Sequence, residues 1–272
     1  MNKKTVLIAC ACAAAAVVIA AILLFRPRAS VRALGPGQAT ASRLLAEAKK
    51  LEADGNLLAA KAHYQKLIGD FPNSREVQDW QKRAEDIAMR LLFSPTVTPK
   101  SIAYQVKAGD SLSRIARAHK TTVELLIKSN NLKNEIIFPG QTLKVWTSPF
   151  SIVVDKSQNT LILKSEEDIY RTYVVSTGLN NSTPVGTFVI TEKILNPPWY
   201  KPGGGMVPAG DPQNILGTRW LGLNKEGYGI HGTTEPQSLG KQATAGCVRM
   251  SNSDVEQLYS IVPSGTEVII VD

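Results

Sequence analysis

The amino-acid sequence predicts a multidomain α+β chain. An apolar N-terminal segment precedes a helical hairpin region, a small strand–helix–helix–strand unit and a mainly-β C-terminal domain. Three observations carry this reading. Thr5 to Phe25 are 21 uncharged, mostly aliphatic positions. Apolar residues recur at helical spacing between Ser42 and Leu92. Beyond Phe150 the period shortens to two, in β-branched runs separated by turn residues. Pro- and Gly-containing breaks set the boundaries: 1–28 for the apolar segment, 29–41 for a linker, 42–94 for the helices, 102–147 for the small unit and 150–272 for the C-terminal domain.

The apolar run is long enough to span a bilayer, which takes about 20 residues. A cleaved signal peptide has an apolar core of ~7–15 residues and a small-residue cleavage site; Phe25-Arg26-Pro27-Arg28 supplies no such site. Leu7-Ile8-Ala9-Cys10 has the look of a lipobox, but the run continues well past Cys10. The expectation is an uncleaved transmembrane anchor. Lys3, Lys4, Arg26, Arg28 and Arg32, with no acid among them, supply +5 of the formal +8, leaving +3 for the rest of the chain. The basicity therefore belongs to the flanks of the apolar run, and no nucleic-acid partner is expected. At 43% apolar and 20% charged, the composition is that of folded domains.

In the helical region Leu44, Leu45, Ala48 and Leu51 mark a first helix, broken at Asp54-Gly55-Asn56. A second helix runs from Leu57 to about Gly69, and a third from Arg75 to about Leu92 after the stop at Phe71-Pro72-Asn73-Ser74. The spacing of Ala60, Tyr64, Leu67 and Pro72 resembles one tetratricopeptide repeat. A lone repeat buries its faces poorly, and a plain helical spacer satisfies the same pattern. Either leaves a face for a protein partner.

Tyr104-Gln105-Val106 alternates as a strand, and Asp110 is expected to cap a helix bearing Leu112, Ile115 and Ala116. Thr122 caps a second helix with Leu125, Leu126 and Ile127, and Pro139-Gly140 turns into the strand Gln141 to Val145. The order Y-x-V-x-x-G-D-S-L-x-x-I-A, then N-N-L, then I-x-P-G-Q-x-L resembles a lysin motif (LysM). That resemblance implies binding of N-acetylglucosamine-containing glycan through Gly109, Asp110, Ser111 and Leu112 and through Ile137, Pro139 and Gly140. His119 reads as a surface or packing residue.

The β-rich runs of the C-terminal domain are Ser151–Asp155, Thr160–Leu163, Tyr170–Val175, Thr187–Thr191 and Thr266–Val271. They suggest a sandwich or mixed sheet, with one clear helix from Ser253 to Val262. Lys201 to Asp211, holding four glycines and two prolines, is expected to be an irregular flap or pocket wall.

Chemistry concentrates in the stretch from His231-Gly232-Thr233 to Thr244-Ala245-Gly246-Cys247-Val248-Arg249-Met250. Cys247 is alone outside the apolar segment, so no disulfide can form within the C-terminal domain. A buried inert thiol is the bland reading. Gly246 favours a nucleophile, because a neighbour without a Cβ lets a carbonyl approach and leaves backbone N–H groups for an oxyanion. His231 is the one histidine after residue 119. Both residues adjoin strand-like runs, and two adjacent strands would bring base and nucleophile together. Arg249 either neutralises a substrate carboxylate or supports the pocket, and Trp220, Tyr228 and Thr244 are candidate pocket residues. No His/Cys/carboxylate cluster has metal-ligand spacing, and neither a metal nor another cofactor is expected.

These residues, with Val175-Ser176-Thr177-Gly178, Thr183-Pro184-Val185-Gly186-Thr187-Phe188, Asn196-Pro197-Pro198-Trp199 and Asn214-x-Leu216-Gly217-x-Arg219-Trp220-Leu221, resemble the L,D-transpeptidases (YkuD-type) over about residues 150–272. Thr244 stands where Ser is usual, and Ala245 where His or Lys is frequent. The resemblance implies a cysteine acyltransferase of bacterial cell walls acting on peptidoglycan stem peptides. Cys247 would be its nucleophile, His231 the base, and the Gly232 carbonyl would fix the imidazole. The Gly246 and Cys247 N–H groups would form the oxyanion hole. The product would be a 3→3 cross-link; water or a lipoprotein lysine as acceptor would make the same site a carboxypeptidase or an anchoring enzyme. A wall-cutting endopeptidase and a non-catalytic glycan-binding scaffold are the other readings. A wall substrate also sets the topology: N-terminus inside, domains in the periplasm or cell wall.

Overall fold

The period-two runs of the C-terminal half pair into one mixed eight-stranded sheet. In the computed structural model, which describes residues 36–272, its strands are β3 (Phe150–Asp155), β4 (Thr160–Ser165), β5 (Asp168–Val174), β7 (Gly186–Leu195), β10 (Arg219–Leu223), β11 (Gly229–His231), β13 (Val248–Arg249) and β14 (Glu267–Val271). Their order is β13-β11-β10-β7-β14-β3-β4-β5. The β14–β3 and β11–β13 pairs are parallel and the others antiparallel. Alternation decides the faces: Ile152, Val154, Leu161, Leu163, Val268 and Ile270 point inward and are buried. Short pairs β6 (Thr177–Gly178) with β12 (Gln242–Thr244) and β8 (Trp199–Tyr200) with β9 (Met206–Val207) complete the domain.

The anchor expected over Thr5–Phe25 lies outside the described residues. Among the described residues no helix is long and apolar enough to cross a membrane. The linker expected over 29–41 is shorter than anticipated, because helix α1 spans Pro36–Ala53. Proline is favoured in the first turn, where its missing N–H has no intrahelical partner to lose.

Helices α2 (Leu57–Asp70) and α3 (Val77–Leu92) follow as the spacing predicts. They are neither a free-standing repeat nor a spacer. Ala88, Met89 and Leu92 of α3 enter the same core as the sheet. Glu85, 4% exposed, accepts hydrogen bonds from the Thr172 N–H at 3.1 Å and hydroxyl at 2.8 Å. Thr172 lies on β5, the edge strand, so a helix carboxylate covers an edge that would otherwise offer unpaired donors. This face of α3 is spent on that contact.

The small unit folds as β1 (Ser101–Gln105), α4 (Leu112–Ala118), α5 (Val123–Ser129) and β2 (Thr142–Trp146), with β1 and β2 antiparallel. Its core is Val106, Leu112, Ile115, Ala116, Leu126, Leu143 and Val145. It is fixed to its neighbours on two sides. Buried Lys144 donates to the carbonyls of Leu91, Leu92 and Ser94 at the end of α3, where helix carbonyls lack partners. Thr122 and Lys128 donate to Ser260 in the C-terminal domain, on helix α6 (Asn252–Ile261).

Candidate active site

Strands β11 and β13 bring His231 and Cys247 together. The parallel register pairs Ile230 with Val248 and His231 with Arg249. One step back along both strands, Cys247 lies beside Gly229. Residues two apart share a face, so His231 and Cys247 project from the same side of neighbouring strands. Both line one cavity of about 570 Å³. His231 Nδ1 donates to the Gly232 carbonyl at 2.6 Å, which leaves Nε2 as the acceptor nitrogen. Half-buried Cys247 donates its thiol proton to the Gly227 carbonyl at 3.4 Å.

The electrostatics favour an uncharged pair at rest. Burial pushes the His231 imidazolium down to about 4, against the pull of the Gly232 carbonyl and with the help of the Arg249 guanidinium. Burial also pushes the Cys247 thiol up, against the smaller pulls of the Gly229 N–H and Arg249. That is the pattern of a neutral thiol beside a neutral imidazole base.

The turn before Cys247 corrects the expected oxyanion hole. Thr244 Oγ1 accepts from the Gly246 N–H at 3.1 Å and donates to the Cys247 carbonyl at 2.6 Å. The Gly246 N–H is therefore occupied within the turn, and the donor that remains there is the Cys247 N–H. Gly246 has φ +135°, and a Cβ on it would meet Tyr228 Cε1 at 2.8 Å. Tyr228 accordingly packs behind the turn, against the core, and does not line the cavity. Strand alternation explains the difference: Tyr228 shares its face with core Ile230, opposite Gly229 and His231.

Trp220 and Arg249 line the cavity as expected. The Trp220 ring stacks on His231, with centroids 6.0 Å apart and planes at 23°. Arg249 resolves toward support, since it donates to Glu235 and to Ser238, each at 2.9 Å. Lys201 to Asp211 is more regular than anticipated, because β8 and β9 make it a hairpin, and Trp199, Tyr200, Lys201 and Pro202 form one cavity wall. Sequence reasoning missed Glu192, Ile215 and Leu216 on the other walls. It also missed Asn252, whose Oδ1 accepts from the Thr218 and Thr233 N–H groups at 3.2 and 3.0 Å and so holds the loop after His231. An asparagine just past the Cys-Val-Arg-Met run was the available signal.

In the small unit, the second expected glycan-contact turn is tied to the end of the first strand: the Gly140 N–H donates to the Val106 carbonyl at 2.8 Å. Gly109, Ser111, Pro139 and Gly140 are exposed. Leu112 is a correction, being 1% exposed in the core, and Ile137 packs against that core too. Asp110 does not cap α4; its Oδ2 accepts from the Lys107 N–H and the Tyr104 hydroxyl, while Ser111 Oγ caps the helix through the Arg114 N–H. Exposed Ile136 and Phe138, at 63% and 66%, supply the apolar surface of this end.

Residues 149–270 match the L,D-transpeptidase catalytic domain family (YkuD), and residues 104–146 match the LysM domain family. YkuD of Bacillus subtilis, assigned as an L,D-transpeptidase, is 36% identical over 176 residues, covering 62% of this chain and 98% of that protein. YqjB of the same organism, assigned likewise, is 38% identical over 127 residues, covering 44% and 70%. A solved L,D-transpeptidase from Mycobacterium smegmatis aligns with a TM-score of 0.40 at 18% identity, over 49% of this chain and 64% of that one. The chain thus spans just under two thirds of that solved chain. The two family matches and the Bacillus relatives put the protein among the peptidoglycan-modifying transferases. It belongs to the L,D-transpeptidase (YkuD) family and carries a LysM domain ahead of its catalytic domain.

Proposed function

We propose that the protein is a membrane-anchored L,D-transpeptidase that makes 3→3 cross-links through a thioester on Cys247. The observation that carries this is the placement of Cys247 and His231 on one face of adjacent strands, on the wall of one cavity, with Nδ1 held by the Gly232 carbonyl. His231 Nε2 takes the thiol proton as sulfur attacks the carbonyl of the third residue of a tetrapeptide stem. The oxyanion is met by the Cys247 N–H. Collapse breaks the L,D amide bond, and the proton on His231 goes to the departing D-Ala amine. An amine on a neighbouring stem then attacks the thioester, passes its proton back and frees the thiol. The LysM domain holds the glycan strand, and Thr5–Phe25 keeps the catalytic domain on the outer side of the membrane.

The test is intact-mass spectrometry of the full chain incubated with a carbapenem. One stoichiometric adduct is expected, absent in Cys247→Ala and formed much more slowly in His231→Ala. No adduct on folded protein would make the glycan-binding scaffold the better reading. Muropeptide digests then rank the acceptors: retained 3→3 dimers mark a transpeptidase, and trimmed monomers mark a carboxypeptidase.

A further inference from the structure

Glu192 stands in line with the thiol across the sheet. The β7–β10 register pairs Glu192 with Gly222, and the β10–β11 register pairs Gly222 with Gly229. Gly229 neighbours Cys247 one step before the Ile230–Val248 pair. One row thus reads Glu192, Gly222, Gly229, Cys247, with glycine at both middle positions. The space above those glycines is taken by one side chain. A Cβ on Gly222 would lie 2.9 Å from Trp220 Nε1, and one on Gly229 would lie 2.6 Å from Trp220 Cη2. The indole therefore lies flat across the two strands and forms an apolar floor between carboxylate and thiol.

Glu192 Cβ and Oε2 would each be 3.3 Å from that same Gly222 Cβ position, so the carboxylate stands beside Gly222 on its β7 side. It makes no hydrogen bond or ion pair with the described residues. Among the cavity-lining residues it is the sole carboxylate. Arg249, the buried cation among the cavity-lining residues, is already matched by Glu235. From β10 to β13 is two strand intervals, about 10 Å. The carboxylate lies 3.3 Å to the β7 side of the Gly222 position, which offsets the ~3 Å at which sulfur meets a carbonyl carbon. About 10 Å therefore separates the reacting carbonyl from the carboxylate, hydrogen bond included. An extended side chain of four carbons ending in an ammonium spans that gap, its methylenes on the indole.

Resting on the transpeptidase reading, we propose that Glu192 is a specificity-determining residue. It binds the side-chain ammonium of the diamino acid at the third position of the acyl-donor stem, and Trp220 supports the intervening chain. The site therefore selects a donor whose side-chain amine is free and unlinked.

The test measures D-Ala release by the full chain from three tetrapeptide donors: one with a free side-chain amine, one N-acetylated there, and one N-succinylated there. The wild type should prefer the free amine over the acetylated form on the order of tenfold in kcat/KM, mostly through KM. Glu192→Gln should bring that ratio close to one, and Glu192→Lys should reverse the order in favour of the succinylated donor. Each variant is first shown to melt like the wild type. Acylation of the wild-type chain by a penem without a cationic side chain reports on the parent reading separately. If the penem acylates Cys247 but the wild type treats free and acetylated donors alike, or Glu192→Gln keeps the wild-type ratio, the assignment of Glu192 is overturned. If neither the penem nor any donor acylates, the transpeptidase reading itself fails.

Discussion

Replacing Thr244 by valine removes one oxygen and keeps the shape, which isolates what its hydroxyl does. That oxygen accepts from the Gly246 N–H and donates to the Cys247 carbonyl, closing the turn that carries the nucleophile. Thr244 is 7% exposed, and Gly246 is also buried. Thr244→Val therefore loses two hydrogen bonds and strands two backbone groups, a cost of about 2–4 kcal/mol. For a chain of this size each kcal/mol lowers Tm by roughly 2–4 °C, so a fall on the order of 5–10 °C is expected. If the turn instead relaxes to reach water, less stability is lost, but the thiol and the Cys247 N–H leave their places. Acylation by a carbapenem, followed by intact mass against time, should then slow at least about tenfold, the equivalent of ~1.4 kcal/mol. Thr244→Ser keeps the oxygen and should restore both readouts. A valine variant acylating within twofold of wild type, at unchanged Tm, would refute the claim that this hydroxyl holds the nucleophile's turn.

Three further outcomes are expected. The folded pKa of His231, about 4, lies below its ordinary 6.5, so the unfolded chain binds the extra proton between those values; stability is complete above about 6.5 and is lost as pH falls toward 4. Thermal melts from pH 7 to pH 4 should show this slope, His231→Asn should flatten part of it, and the acylation rate should fall through about pH 4 as Nε2 is protonated; identical slopes in both proteins would refute the account. Glu85→Ala should cost about 1–3 kcal/mol by freeing the Thr172 donors and should raise light scattering through the uncovered edge of β5, whereas unchanged melting and scattering would dismiss an edge-covering role. Phe138→Ala should weaken sedimentation with insoluble peptidoglycan roughly tenfold, the scale of burying one aromatic side chain; undiminished binding would place the glycan elsewhere.

The pairing of Cys247 with His231 was legible because each adjoins a strand-like run, and parallel pairing of those runs is what joins them. The helices and the βααβ unit were legible through periodicity and through caps such as Thr122, whose Oγ1 accepts from the Leu125 N–H. Asp110 misled because Asp and Ser are near-equal caps, and the Tyr104 hydroxyl, brought over by the fold, claimed the carboxylate. The Gly246 N–H misled for a like reason: a hydroxyl two residues away reached it first. Glu192 was invisible because it lies just past the strand run Thr187–Thr191, where a charged residue reads as a strand end. Its neighbours in space, Gly222 and Gly229, come from two other strands, and glycines spaced that way look like ordinary loosening of a sheet.

The helix α6 ties together two parts that a reading along the chain keeps apart. At its N-terminal end Asn252 accepts from the Thr218 and Thr233 N–H groups and so sets the loop that follows His231. At its C-terminal end Ser260 accepts from Thr122 and Lys128 of the LysM domain. Between them Val255, Leu258 and Ile261 are fully buried against the sheet, which leaves the helix little freedom to tilt. The LysM domain is also held from its other side by Lys144 on the carbonyls that end α3, and α3 covers the far edge of the same sheet through Glu85. If the glycan sits on the exposed turns around Gly109 and Pro139, as the LysM resemblance implies, it is bound to a body continuous with the one that positions the thiol. The reach from glycan to stem peptide is then set by the substrate's own length, since the described residues place no flexible tether between the LysM and catalytic domains: only Thr147 to Pro149 separate β2 from β3. That geometry suits an enzyme that must hold one polymer in place while a short, jointed branch of it reaches a fixed nucleophile.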